Sequence, residues 1–245
     1  MLYAIFHVDI LCYYDRLRMY GVWLGSSRPT VLRRLDTIHH SPLRICSGAF
    51  RTSPVESLFF TTIAYQYPSF VPIFTDGSKS DGHVGCGVAF PSNTLSYRLH
   101  NCCSVFTAEL VAIFRALQEI SLSNQCNFII YTDSMSSLKA LSHYDNRMRP
   151  VALDILSILQ FLRNEGFNII CCWIPSHVGI SGNETADTVA KFASAFLPRP
   201  FPYCDIKKFL LSHLSSVWQQ KWDPLINNKL HSVKPSISLW SVLPI

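Results

Sequence analysis

Four acidic residues occupy positions that suggest a site for hard cations rather than a solvated surface. Asp76 and Asp133 each close a strand-like apolar run within the same short phrase, Thr75-Asp76-Gly77-Ser78 after VPIF and Thr132-Asp133-Ser134 after NFIIY. Glu109 lies between them in FTAELVAIF, and Asp187 follows His177 in WIPSHVGISGNETAD. Carboxylates crowded together repel and raise one another's pKa values, whereas a bound divalent ion keeps them ionised. Ligand sets made only of oxygen select magnesium or manganese over zinc or copper. Singly, each acid reads as a turn former, a solvated helix residue or a cap-proximal acid; their joint arrangement at strand ends favours a metal site.

Hydrophobic periodicity supplies the elements that must position them. Strands are expected over 71–76, 83–90 and 94–100, and the short Pro91-Ser92-Asn93 link favours an antiparallel meander. The glycines of HVGCGVAF allow close packing on the second strand. From 105 to 121, Glu109, Ile113, Ala116 and Ile120 recur on one helical face. Glu109 therefore points toward the sheet, where an ionised carboxylate is costly unless a cation or donor meets it. A strand over 127–132, a short helix over 134–142, a longer one over 150–165 ending near Gly166 and a last strand over 167–173 follow. Ser181 with Glu184 fits a capping box that opens a final helix to about 195. This order predicts an α/β fold with a mixed sheet covered on its faces. Parallel pairing of the first strand with 127–132 sets Asp76 and Asp133 side by side at their carboxyl ends, where open α/β sheets gather ligands. Asp187, about two turns into the final helix, completes the cluster if that helix packs beside the same sheet edge.

The chain has 245 residues of which 49% are hydrophobic, enough for one α/β domain with additional pieces. Prolines at 68 and 72 bracket entry into the first strand, and Leu197-Pro198-Arg199-Pro200-Phe201-Pro202 is a break that helix does not cross comfortably, so the core domain is expected over 69–197. Upstream, SRPTVLRRLDTIHHSPLRICSGAF reads as amphipathic helix broken near Ser41-Pro42. Downstream, IKKFLLSHLSSVWQQKW reads as one more helix with Phe209, Leu210, Leu214, Val217 and Trp218 on its apolar side. Net charge is +3 over 1–68, −2 over 69–197 and +4 over 198–245. Basic flanks of this kind suit a polyanion, and equally a solubilising excess. No stretch approaches the ~18 apolar residues of a membrane span. No leader pattern opens the chain, and Asp9, Asp15, Arg16 and Arg18 interrupt the early apolar stretch, so a reduced, intracellular, non-secreted protein is expected. Its nine cysteines then read as buried or incidental thiols; Cys102-Cys103 and Cys171-Cys172 lack C-x-x-C spacing. Phe59, Phe60, Tyr65 and Tyr67 suit an interdomain core better than base stacking.

These residues resemble the ribonuclease H domain of non-LTR retrotransposon polyproteins. FTDGS, TAEL, YTDSMSSL and WIPSHVGISGNETAD each match a family block, in order and spacing, over about residues 69 to 196. RRLDTIHHSPLRICSGAFRTSP looks like the stretch joining reverse transcriptase to ribonuclease H, so 1–68 is expected to be a helical remnant of that connection and 198–245 a basic helical tail. No Y-x-D-D polymerase motif is present. The resemblance implies a ribonuclease H-like five-stranded mixed sheet with helices on both faces and helical flanks at each end. It implies hydrolysis of the RNA strand of RNA/DNA hybrids with two magnesium ions ~3.5 to 4 Å apart, manganese being an alternative. By the matched positions Asp76 bridges the metals, Glu109 and Asp133 share coordination, and Asp187 holds the second ion. His177 matches the family's mobile-loop histidine, which assists proton movement or product departure. Gly77, Ser78 and Ser134 are the expected substrate contacts, Gly77 and Ser78 letting backbone approach the RNA.

Some features depart from the wider family. Val105 and Phe106 stand where cellular members usually carry an asparagine pair, and the segment from Ala140 to Pro150 has only Arg147 and Arg149 in place of a basic protrusion. Binding of the hybrid is therefore expected to lean on the basic flanks, with no membrane and no obligate protein partner. The alternatives are a catalytically silent nucleic-acid-binding remnant of a mobile element and another nuclease of the same superfold.

Overall fold

Alternation along the apolar strands sends successive side chains to opposite faces of one sheet, and each face carries its own helical cover. The computed structural model describes residues 10–11, 67–80, 82–142, 149–177, 179–200 and 202–237. Strands β1 (Ile10–Leu11), β2 (Val71–Ser80), β3 (His83–Ala89), β4 (Thr94–Leu99), β5 (Asn127–Thr132) and β6 (Asn168–Trp173) lie in the order β1-β6-β5-β2-β3-β4. Strands β2, β3 and β4 are antiparallel neighbours, while β5 pairs parallel with both β2 and β6. The five longer strands make the expected mixed sheet. The two-residue β1 adds a parallel edge at Cys171 and Cys172, so this part of the N-terminal stretch, read from sequence as helical, is strand.

Helices α1 (Val105–Ile120), α2 (Met135–Ser142) and α3 (Pro150–Asn164) cover one face, where Ile73, Val84, Phe128, Ile130 and Cys171 join Leu110, Ile113, Leu138 and Ile155 in a single core. On the other face Phe74, Ile129, Tyr131 and Ile170 pack with Ile180 and with Ala186 of helix α4 (Ser181–Lys191). Ser104 caps α1, its Oγ accepting from the Thr107 amide at 3.2 Å. Cys86 and Cys171 are free thiols in the first core, where burial pushes both up to about 12 and leaves them unreactive.

Three boundaries differ from the sequence reading. Strand β2 does not stop at Asp76 but runs on to Ser80, because β3 keeps offering antiparallel partners, from Asp76 opposite Gly87 to Ser80 opposite His83, after the β5 pairing has ended at Thr132. Helix α4 stops at Lys191 rather than near 195. Beyond it the Arg98 amide donates to the Ala195 carbonyl (2.8 Å) and the Leu197 amide to the Arg98 carbonyl (2.9 Å). Satisfying the open edge of β4 outweighs another helical turn. The capping box does not form: Ile180 is the N-cap with no side-chain cap bond, and Ser181 is already helical, its carbonyl accepting from Thr185 Oγ1 at 2.9 Å.

The chain divides into two units, residues 1–199 and 200–245. In the second, helix α5 (Tyr203–Trp222) is followed by α6 (Lys229–Val233), and Trp222 Nε1 donates to the Lys234 carbonyl at 2.9 Å. On α5, Phe209, Leu210, Leu214 and Trp218 are exposed and Val217 is half-buried. The helices read over residues 27–50, the aromatics Phe59, Phe60 and Tyr65, and Arg147 lie outside the described residues; Tyr67 packs edge-on against Phe70 at 5.2 Å. Among the described residues no helix is long and apolar enough to cross a membrane.

Candidate active site

The parallel register pairs Thr75 with Thr132, so Asp76 and Asp133, each the next residue, stand at the same level of the sheet. Asp133 is held from two sides: Trp173 Nε1 donates to its backbone carbonyl at 2.9 Å, and Asn183 Nδ2 donates to its carboxylate at 3.4 Å. Glu109 can join them because residue 77 has no side chain. A Cβ on Gly77 would lie 2.5 Å from the Glu109 amide nitrogen and 2.9 Å from the Ala108 carbonyl carbon. Helix α4, which carries Asp187, sits equally close to β3: a Cβ on Gly85 or Gly87 would lie 2.1 or 2.2 Å from the carbonyl oxygens of Ala190 and Ala186. Glycines thus determine how near the acid-bearing helices come to the acid-bearing sheet.

As a result, carboxylate oxygens of Asp76, Glu109 and Asp133 lie within 4.8 Å of one another. Asp187 lines the same cleft of about 360 Å³ with all three, but it groups more tightly with His177 and Glu184, whose ligand atoms also lie within 4.8 Å of one another. The four acids expected to converge as one set are therefore a triad, with Asp76 and Glu109 buried and Asp133 half-buried, beside a more exposed His177–Glu184–Asp187 group. Gly77, Ser78 and Ser134 line this cleft too. Gly77 and Ser78 are paired within β2, opposite Cys86 and Gly85. Ser134 precedes α2; its hydroxyl meets that of Ser137 at 2.8 Å and its carbonyl accepts from the Ser137 amide at 3.1 Å. His177 has φ 54°, the one positive value on a non-glycine residue among those described. That backbone strain holds an exposed imidazole in the cleft lining. At the head of α1, Val105 is exposed and the Arg149 guanidinium lies 4.7 Å above the Phe106 ring.

The electrostatics follow from this crowding. Burial, then the neighbouring carboxylates of Asp133 and Asp187, pushes Asp76 up to about 7. Burial, then Asp76 and Asp133, pushes Glu109 up to about 9. Burial also raises Asp133, opposed by the Asn183 hydrogen bond. Glu109 Oε2 is buried and has no hydrogen-bond partner among the described residues. An orphaned carboxylate oxygen facing two further carboxylates is costly, and a hard divalent cation is the ligand that satisfies it. The donor set fits magnesium or manganese.

Sequence reasoning missed Trp173, Asn183, Glu184 and Lys191. Three of these were signalled by helical spacing around Asp187: Glu184 lies three residues before it, Asn183 four before and Lys191 four after, all on one face. Trp173 carried no such signal, since its contact depends on the β5–β6 register.

Residues 68–195, just over half of the chain, match the family described as RNase H, and the chain belongs to that family. It is 27% identical over 158 residues to ribonuclease H1 of Mus musculus, an alignment that covers 57% of this chain and 55% of that protein; the chain spans about half the length of this curated relative. It is also similar to a crystal structure of ribonuclease H1 from Halobacterium salinarum, with a TM-score of 0.39 and 19% identity over 50% of this chain and 96% of the other.

Proposed function

We propose that this chain cleaves the RNA strand of RNA/DNA hybrids endonucleolytically, using the cleft lined by Asp76, Glu109, Asp133, His177 and Asp187. The convergence of three carboxylates, Asp76 and Glu109 buried and Asp133 half-buried, with one Glu109 oxygen unsatisfied among the described residues, carries the reading; membership of the RNase H family supports it. Asp76, Glu109, Asp133 and Asp187 would hold two magnesium ions, which when bound supply an activated water and stabilise the leaving oxygen. The chain's own part is to hold negative charge on rigid elements, two acids at strand level and two on helices locked down by glycine contacts, so that little reorganisation remains at the moment of reaction. His177, beside Asp187 on a loop containing Gly179, is positioned to move a proton or assist product departure. Gly77, Ser78 and Ser134 offer small groups and backbone to an approaching strand, with the 2′-hydroxyl as the mark of RNA.

The motif blocks over about 69–196 further support a setting in a non-LTR retrotransposon, with 1–68 derived from the reverse transcriptase connection and 198–245 as a basic tail. The test is magnesium-dependent cutting of a labelled hybrid beside duplex DNA and duplex RNA, with Asp133→Asn as control. Cutting confined to the hybrid and lost in the variant is expected. Binding without cutting indicates a silent remnant, and cutting of duplex DNA indicates another nuclease of the superfold.

The tail contributes affinity rather than chemistry in this reading. Neutralising Lys207, Lys208, Lys221 and Lys229, exposed residues on α5 and α6, is expected to weaken hybrid binding and reduce the salt slope by up to ~3.6, about 0.7–0.9 for each phosphate that a lysine no longer neutralises. An unchanged slope in a salt titration of binding rejects this role.

A further inference from the structure

Among the four acids of the cleft, Asp187 differs in having a resident cation. Lys191, one turn later on α4, places its Nζ 2.6 Å from Asp187 Oδ2. Among the described residues, no lysine or arginine forms an ion pair with Asp76, Glu109 or Asp133. The Asp187 side chain is largely shielded at 14% exposure, while Lys191 is 51% exposed and lines the cleft. The pair is thus asymmetric: the carboxylate is set into the site and the ammonium can swing into water without leaving a buried charge behind.

We propose that Lys191 is a displaceable counter-cation on Asp187, which holds that carboxylate in the cleft before a second divalent ion binds and must be displaced when the ion arrives. This rests on the proposed metal-dependent function. An ammonium is a compact, strongly hydrated point charge on a flexible stem, so it can occupy a carboxylate oxygen much as a metal ion does, yet its exposed tether makes it easy to remove. A carboxylate oxygen engaged at 2.6 Å by an ammonium is not open to a metal at the same lone pair. The tether also keeps the competitor present at every metal concentration. Asp76 and Glu184 lie near enough to attract the same ammonium, which keeps it in the cleft rather than pointing away along the helix. The consequence is an unequal pair of metal sites. The Asp76–Glu109–Asp133 site faces no built-in competitor among the described residues, whereas the site that uses Asp187 carries one and fills only at higher ion concentration. Lys191 is a positioning residue in this scheme and takes no part in proton transfer.

The test is a manganese titration of the full chain without nucleic acid, read by the paramagnetic resonance of free Mn²⁺. Wild type is expected to show two classes of site. Lys191→Gln is expected to tighten the weaker class about two- to fivefold, the range an exposed ion pair contributes, and to leave the tighter class unchanged. Lys139→Gln, which removes one positive charge from the exposed surface of α2, should alter neither. A weaker class that is unchanged or loosened by Lys191→Gln, or tightened equally by Lys139→Gln, overturns the inference while leaving the proposed function standing. A wild type that binds no manganese overturns both.

Discussion

Glu109→Gln is expected to stop hybrid cleavage, with a loss on the order of 10³-fold or more, and at the same time to stabilise the metal-free protein. The first effect follows because a preorganised charge aimed at the reacting centre cannot be replaced by a neutral amide. The second follows from the cost of the native group. Glu109 is buried beside Asp76 and Asp133, is pushed up to about 9, and leaves Oε2 without a partner among the described residues. At about pH 8 the folded chain must either keep a proton that the unfolded chain has released or bury a third negative charge. Removing that conflict is worth on the order of 1–3 kcal/mol, a rise of about 5 °C in Tm for a chain of this size. Thermal melts in a chelator measure this, and the same melts in magnesium should reverse the order, since mass-action stabilisation by the ion requires the full carboxylate set. A Glu109→Gln protein that is less stable than wild type without metal would show that the carboxylates are not in conflict.

The second large effect is a pH dependence seen as a difference between two proteins. The carboxyl group of Asp76, with an ordinary value near 4 in the unfolded chain, is pushed up to about 7 when folded. A group raised on folding binds more protons in the native state across that window. Its favourable contribution is therefore complete below about pH 4 and is lost as pH rises through about 7. Asp76→Asn removes the titration, so in a chelator the variant and wild type should be nearly equal in stability at about pH 4, with the variant gaining on the order of 2 kcal/mol by about pH 8. Titrating groups that do not face Asp76 cancel in the comparison, while Glu109, raised in part by the Asp76 carboxylate, is relieved in the variant and adds to its gain at high pH. Saturating magnesium keeps the native carboxylates ionised and should abolish the variant's advantage. A stability difference that stays flat across this pH range contradicts the placement of Asp76 among buried acids.

Both effects arise from residues that the sequence singled out, and the reason is periodicity. The turn of helix that sends Glu109 inward is visible from Ile113, Ala116 and Ile120, all buried on the same face, and the strand alternation in NFIIYT assigns Phe128 and Ile130 to one core and Ile129 and Tyr131 to the other. Boundaries were less legible. The continuation of β2 to Ser80 depends on a partner strand, and the end of α4 at Lys191 depends on the unpaired edge of β4, to which the chain turns at Ala195 and Leu197. The first competitor is the adjacent strand, with Ser80 opposite His83, but the second lies at Arg98, far from α4 in sequence, and no local signal at the end of that helix announces it.

The candidate site divides the same way. Residue type and spacing alone named the acids Asp76, Glu109, Asp133 and Asp187, with His177 before the last of them, because burying ionisable groups on apolar faces is expensive and therefore conspicuous in a hydrophobic pattern. Distances belonged to the tertiary structure. Only the packed glycines at 77, 85 and 87 reveal how closely the helices approach the sheet. Only that approach separates a tight Asp76–Glu109–Asp133 triad from the His177–Glu184–Asp187 group, and it alone brings Asn183 and Trp173 onto Asp133. A linear chain specifies which charges must be buried; where their oxygens meet is decided by contacts between segments dozens of residues apart.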